Sequence, residues 1–213
     1  MFADTYARNY QAFNKDKPYR KEVEMVYRWA EKPKSILDVG CGTAHYWRYF
    51  PEDVHIRGIE RSEYMIRQSE HRSKIKCQAV QQKIHHKDFD CVTAIFDVIN
   101  YIPEHDWWGK LPLKQGGFWI FDLWDKDKIK REGFKETRKY ADGMWRVIAP
   151  MDQDDTSVNL KITLTNSTTC ISEFHKMYLY DKEDILGFCG KEFRIVDVKP
   201  TERWQSWYKL VRL

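Results

Sequence analysis

Ile36-Leu37-Asp38-Val39-Gly40-Cys41-Gly42-Thr43-Ala44 constrains this chain more than any other stretch. An apolar run with an acid near its end, two glycines one residue apart and then an amphipathic segment read as strand, tight turn and helix. In an open α/β sheet that turn lies outside the carboxyl ends of the strands, where ligands bind. Gly40 and Gly42 permit positive φ and close approach to the main chain. A dinucleotide loop needs G-x-G-x-x-G, but the third position here is His45, which would crowd helix against strand. Asp38 would also repel a pyrophosphate at short range. The loop therefore suits a cationic ligand with a small zwitterionic end. Glu60 follows, twenty residues past Gly40, at the tip of the next apolar run. A carboxylate there can accept hydrogen bonds from both hydroxyls of a ribose. Taken singly, a glycine turn can be a plain turn and a strand-end Glu a solvated residue. In register with strands and helices, the two favour an adenosine-bearing ligand.

The remaining pattern places this loop in an α/β sheet. Residues 2–31 read as helical with a break at Lys17-Pro18, Tyr6, Tyr10 and Phe13 forming one apolar stripe and Val23, Val26, Tyr27 and Ala30 another. Strands are expected at 35–39, 55–60, 74–79, 91–96 and 118–123, with helices at 44–50 and 62–72, the second capped by Ser62. This alternation implies a parallel sheet. Beyond residue 130 the character changes: strands at 134–140, 144–149, 157–164 and 170–178 are rich in β-branched and aromatic residues, and 158–165 alternates with period two. A helix over 181–189 has Asp181 as N-cap, Asp184 three residues on and Gly190 as its stop. Strands at 194–198 and 207–213 close the chain. One domain over 1–213 is expected, comprising a helical cap (1–31), a ligand-binding core (32–125), an antiparallel β insertion (130–180) and a closing helix and strand pair (181–213).

Composition narrows the class. The 213 residues are 42% hydrophobic and 15% aromatic, enough for a sizeable core and too apolar for wholesale disorder. Thirty-six Lys+Arg against 32 Asp+Glu leave a net charge of only +4, spread along the chain, which argues for a solvated surface and against a nucleic-acid track. No apolar run nears the roughly 18 residues of a membrane span, and the polar N-terminus lacks a signal-peptide stretch; a soluble, cytoplasmic protein is expected. Five scattered cysteines without a C-x-x-C pair argue against a disulfide framework and a zinc site, and no metal is expected. Nine Trp, twelve Tyr and eleven Phe suit a large core, a stacking site for a flat ligand, or both.

Four stretches carry a family resemblance: ILDVGCGTA (36–44), GIERSEYM (58–65), FDCVTAIFDVINYI (89–102) and LKQGGFWIFDLW (113–124). They resemble the class I S-adenosylmethionine (SAM)-dependent methyltransferases. The lead-in Tyr6-x-x-x-Tyr10 and Lys17-x-Tyr19-x-x-Glu22, and the insertion after the fifth strand, are similar to those of small-molecule N-methyltransferases. That subgroup includes the glycine N-methyltransferase-like enzymes and the nucleotide-sugar N,N-dimethyltransferases. The resemblance implies a Rossmann-like seven-stranded sheet with an antiparallel β insertion after the fifth strand, and SAM as cofactor. It implies that Gly40 and Gly42 hold the methionine moiety with Asp38 near its ammonium, and that Glu60 binds the ribose. Arg61 and Met65 would flank the adenine, Phe96 and Asp97 would line the pocket floor, and Tyr10 and Tyr19 would close over the carboxylate end. Ala44 stands where the family has a third glycine. The family's adenine-binding acid is replaced by Gln78, beside Ala79, whose amide oxygen can accept the same hydrogen bond.

Methyl transfer from a sulfonium is an in-line displacement, so the protein supplies alignment, desolvation and, for an amine, proton removal. Candidate acceptor-side residues are Tyr6, Asn100, Tyr101 and Trp124, with His105 nearby. His175 is taken as base or positioning group, against the alternative of a histidine on an exposed strand face. His45 reads as a helix-surface residue, and His85-His86 as a solvated loop. Trp107-Trp108 would cap a hydrophobic edge or form a stacking wall; Tyr178 and Tyr180 read as strand packing. The expected activity is methylation of an amine, with a hydroxyl second, on a small molecule such as an amino sugar or amino acid. Methylation of RNA or protein, and SAM binding without turnover, are the alternatives; monomer and homodimer both stay open. Glu60→Ala should weaken SAM affinity severalfold or more in calorimetric titration, by removing a charge-assisted ribose contact. Unchanged affinity would refute the ribose assignment.

Overall fold

The computed structural model describes residues 7–10, 14, 17–84, 88–103, 106–133, 135–140, 142–201 and 204–213. Tyr6, Phe13, His85, His86, His105 and Phe134 lie outside the described residues. Strands β1 (Ser35–Val39), β2 (His55–Glu60), β3 (Ile75–Cys77), β4 (Phe89–Ala94) and β5 (Leu113–Trp124) come first, followed by β6 (Glu136–Lys139), β7 (Trp145–Gln153), β8 (Ser157–Thr165) and β9 (Cys170–Tyr178). β10 (Phe193–Pro200) and β11 (Gln205–Arg212) end the chain. The main sheet has the order β10-β11-β5-β4-β1-β2-β3, and β6-β7-β8-β9 form a separate antiparallel sheet. Pairing is parallel from β3 to β5 and antiparallel through β11 and β10. The expected Rossmann-like sheet with an antiparallel insertion after its fifth strand is therefore present.

The central strands are buried on both faces, as a covered parallel sheet requires. Leu37, Val92, Trp119 and Phe121 face one core; Ile36, Cys91 and Ile120 face another, which α1 (Tyr19–Trp29) covers with Val23 and Val26. Trp107 and Trp108 are each 1% exposed, and Trp108 meets Trp119 at 4.1 Å between ring centroids. They are interior packing and neither cap an edge nor wall a ligand.

Two expected helices are cut short for local reasons. Residues 44–50 form a 3-10 helix, His45–Tyr49, with Phe50 extended before Pro51, whose ring disfavours helical geometry in the preceding residue. In the next crossover α2 (Glu63–Arg67) keeps the Ser62 cap but stops early. There the Ser69 hydroxyl accepts a hydrogen bond from the His71 N–H at 3.0 Å, a local turn that competes with the helix. After α3 (Lys126–Glu132) and the second sheet, α4 (Lys182–Cys189) forms as its caps foretell, with a reciprocal Asp181–Asp184 capping box and Gly190 beyond its end.

What places the second sheet over the first is Asn100. It is fully buried; its Nδ2 donates to the Tyr178 carbonyl at 2.7 Å, and its Oδ1 accepts from the Trp124 N–H at 3.1 Å. Tyr180 adds a hydroxyl bond to the Ile102 carbonyl at 2.7 Å. The expectation that Asn100 contacts substrate is corrected, because both ends of its amide join β9 to β5. Asn100→Ala should lower unfolding free energy by about 2–4 kcal/mol, since it strands two buried main-chain groups; urea denaturation measures this.

Candidate active site

A cavity of about 500 Å³ lies between the tips of the parallel strands and the inner face of the second sheet. Its floor begins at the glycine loop, where Gly40 (φ +64°), Gly42 (φ +56°) and Ala44 (φ +53°) are all left-handed. A Cβ at Gly40 would stand 2.6 Å from Val98, so both conformation and space demand glycine there. Glu60, 6% exposed, is pinned beside the loop: Gly42 N–H donates to Oε2 at 3.0 Å and Ser62 N–H to Oε1 at 2.8 Å. Burial raises its pKa while these donors pull it back. A carboxylate has about four acceptor positions, so lone pairs remain for a ligand's hydroxyls.

Asp38 is not on the cavity wall. Its carboxylate accepts from the Tyr46 hydroxyl, from Trp47 Nε1 at 2.6 Å and from the Thr93 hydroxyl at 2.9 Å, and it is 1% exposed. The expected contact with a ligand ammonium is therefore corrected: three internal donors from the turn and β4 already occupy the group. Burial lifts its pKa to about 6 against the pull of those bonds.

Arg61, Met65, Gln78 and Ala79 line one side of the cavity. The Gln78 main chain is bonded to the Glu60 carbonyl at 3.0 Å, but its side-chain Nε2 is buried with no protein partner. Tyr10 and Tyr19 line the opposite part, with Tyr19 edge-on to Phe96 at 5.4 Å. His45 lines the cavity too, which corrects its reading as a surface residue: the tight 3-10 turn directs it inward, 5.6 Å from the Tyr19 ring. Burial lowers its pKa, and its Nδ1 is buried without a partner.

Phe96 and Asp97 form the rest of the floor in an unusual conformation, with φ of +70° and +66°. Two consecutive non-glycine residues there are strained, and such strain concentrates at functional sites. The Asp97 N–H holds the conformation by reaching both Asp122 carboxylate oxygens at 3.3 Å, and Gln205 Nε2 donates to Asp97 Oδ1 at 2.6 Å. Lys17 approaches from the helix break, its Nζ 4.2 Å from the Phe96 centroid. Desolvation lowers its pKa and Asp97 counters the shift.

Over this floor stand Tyr101, Trp124 and the inner faces of β7, β8 and β9. His175 is 7% exposed, sharing a 3.0 Å hydrogen bond between Nδ1 and the Tyr101 hydroxyl, with Nε2 3.6 Å from Glu173 Oε2. It is thus on the buried face of its strand. Burial, reinforced by Arg146, pushes its pKa down to about 4, so it is neutral at pH 7. Tyr178 touches the cavity in addition to packing. Sequence reading missed Arg146 and Glu173 as wall residues. Period two was the available signal, since Glu173 and Met177 share the face of His175, and Arg146 that of Ile148.

A seven-stranded sheet of this order, with its glycine turn after β1 and an acid at the tip of β2, is the class I methyltransferase fold. Residues 36–111, from β1 to the turn before β5, match the model of a methyltransferase domain family. Among solved structures, a SAM-dependent methyltransferase from Clostridium acetobutylicum is similar, with TM-score 0.80 at 20% identity, covering 98% of each chain. CalS10, an amino pentose methyltransferase from Micromonospora echinaspora, has TM-score 0.76 at 16% identity, covering 100% of this chain and 98% of its own. The sugar N-methyltransferase KedS8 from Streptoalloteichus has TM-score 0.73 at 20% identity, covering 95% and 92%. At these identities the likeness establishes the fold. No curated protein matches the sequence.

The depressed His175 pKa has a stability consequence. Between its ordinary 6.5 and about 4, the unfolded chain binds a proton that the folded one refuses. The stability is present above pH 6.5 and lost as pH falls toward 4, to the extent of about 3 kcal/mol. His175→Gln should flatten that part of the pH–stability curve measured by urea denaturation.

Proposed function

We propose that this protein is a SAM-dependent methyltransferase acting on an amine of a small molecule, an amino sugar by preference. The observation that carries the reading is one continuous cavity joining the glycine loop and Glu60 to the Tyr101–His175–Glu173 face of the second sheet. The walls suit the cofactor on their own chemistry. Gln78 Nε2 is a buried donor awaiting an acceptor such as an adenine nitrogen. Glu60 keeps acceptor capacity for ribose hydroxyls, and the positive-φ glycine loop leaves main chain open to the methionine end. Arg61 and Met65 would flank the adenine, while Tyr10, Tyr19 and Lys17 border the remaining end. When bound, the cofactor supplies an electrophilic methyl on a sulfonium.

The rest of the chemistry belongs to the chain. The second sheet excludes water with Ile148, Leu160, Ile162 and Met177. Glu173 offers a carboxylate to a cationic amine or to sugar hydroxyls, and Arg146 borders the same space. His175 is too weakly basic to retain a proton taken from an ammonium; hydrogen-bonded to Tyr101, it orients the acceptor. The amino-sugar preference draws support from the likeness to CalS10 and KedS8.

A screen of amino sugars, free and as nucleotide conjugates, with SAM and mass detection tests the reading. A product heavier by one methylene on an amine supports it; methylation confined to deaminated, hydroxyl-bearing analogues would overturn the amine assignment. His175→Ala should lower kcat about 10–100-fold while leaving SAM affinity nearly unchanged. A wild-type rate in that variant would remove His175 from the site.

A further inference from the structure

Asp38 is committed to Tyr46, Trp47 and Thr93, so the carboxylate expected to meet a ligand's ammonium cannot reach one. A zwitterion lying beside the glycine loop needs another acceptor, because a charge taken from water is costly unless it is hydrogen-bonded.

His45 stands in that place. The left-handed Ala44 turns the chain, and His45 opens the 3-10 helix that follows, lining the cavity with Gly42 and Thr43. Packing holds its ring: Tyr19 meets it edge-on at 5.6 Å and 63°, and Tyr19 is in turn stacked on Tyr46 and Tyr49. Nδ1 is buried with no hydrogen-bond partner. A ring nitrogen left so is costly, and a polar group of a ligand in the cavity would satisfy it.

The charged groups that act on the ring are Arg48 of its own helix and Glu70 beyond α2, which are paired with each other at 3.1 Å. Tyr19 is the titratable group that faces it from α1. Burial, then Arg48, holds the His45 pKa below the ordinary 6.5, so at pH 7 the imidazole is neutral and one nitrogen offers an acceptor lone pair. Tyr10, Tyr19 and Lys17, which border the same end of the cavity, carry donors suited to a carboxylate.

We propose that the His45 ring accepts a hydrogen bond from the α-ammonium of the cofactor, the part expected of Asp38. The inference rests on the SAM reading above. A protonated His45 would set an imidazolium against that ammonium. Hold on the methionine end is therefore present above the His45 pKa and lost as pH falls through it. An imidazolium paired with the carboxylate would give the opposite sign.

Two thioethers test this, S-adenosylhomocysteine and methylthioadenosine, which share the adenosine and the sulfur while only the first carries the amino-acid end. Their affinity ratio, from titration calorimetry, separates that end from Glu60 and the adenine wall. In the unaltered protein the preference for S-adenosylhomocysteine should fall several-fold between about pH 7.5 and about pH 5; a ratio that stays flat or rises overturns the proposal. His45→Ala should cut the ratio at neutral pH by about 10–100-fold through S-adenosylhomocysteine alone. Equal weakening of both thioethers would mark a purely structural role and overturn it. His45→Gln keeps an acceptor that cannot titrate, so it should recover part of the affinity and abolish the pH dependence. Persistence of that dependence in His45→Gln would assign it to Asp38 and sink the proposal. If neither variant folds, the pH dependence in the unaltered protein decides. Failure of both thioethers to bind overturns the cofactor reading and this inference with it, whereas binding of both with a flat ratio overturns the inference alone.

Discussion

The site depends on a buried carboxylate that is not part of the cavity wall. Asp38 draws Tyr46 and Trp47 back from the turn and Thr93 across from β4, and this convergence fixes the direction in which the chain leaves β1. With that direction set, Gly42 can donate to Glu60 on the neighbouring strand, and Glu60 in turn pins Ser62 at the start of α2. Three strand tips and two turns are thereby locked into one floor. Removing a carboxylate from water is costly, and three well-placed donors offset much of that cost.

The roof is held by an equally buried amide. Asn100 joins β9 to β5, which turns the inner face of the second sheet toward the strand tips and closes the cavity. The division of labour follows from chemistry. Preorganised acceptors and main chain are needed where an adenosyl group would lie. Above it, an apolar lining punctuated by Tyr101, His175, Glu173 and Arg146 can exclude water yet orient a polar acceptor. The strained Phe96-Asp97 pair stands where the two halves meet, held by Asp122 and Gln205.

Much of this was legible in the sequence. Fold class, the second sheet and the capping box of α4 were read correctly, and Glu60, Gln78 and Tyr101, singled out in the sequence, line the cavity. The misreadings share a cause. Asp38, Asn100 and His45 were judged by their place beside a strand tip or turn, but each one's role is set by partners or packing that this place does not show. Tyr46 and Trp47 are close in sequence to Asp38, yet they reach it only because Pro51 and the left-handed Ala44 tighten the turn into a 3-10 helix. Asn100 spends its amide on Tyr178, 78 residues away. The helix over 62–72 was overextended because Ser69 closes a turn on His71 that hydrophobic spacing does not register.

The sequence by itself determined the features that neighbouring residues settle among themselves: the glycine positions that must take positive φ, the strand alternation, the Ser62 cap and the Asp181–Asp184 box. Tertiary structure alone decided which polar groups face the cavity and which are consumed in holding it. Whether Asp38 or Glu60 keeps a free lone pair, and whether His175 faces solvent or the cavity, depends on which donors and which sheet arrive from distant parts of the chain. A buried polar group must be satisfied by whatever reaches it first in space, and adjacency in sequence does not specify that.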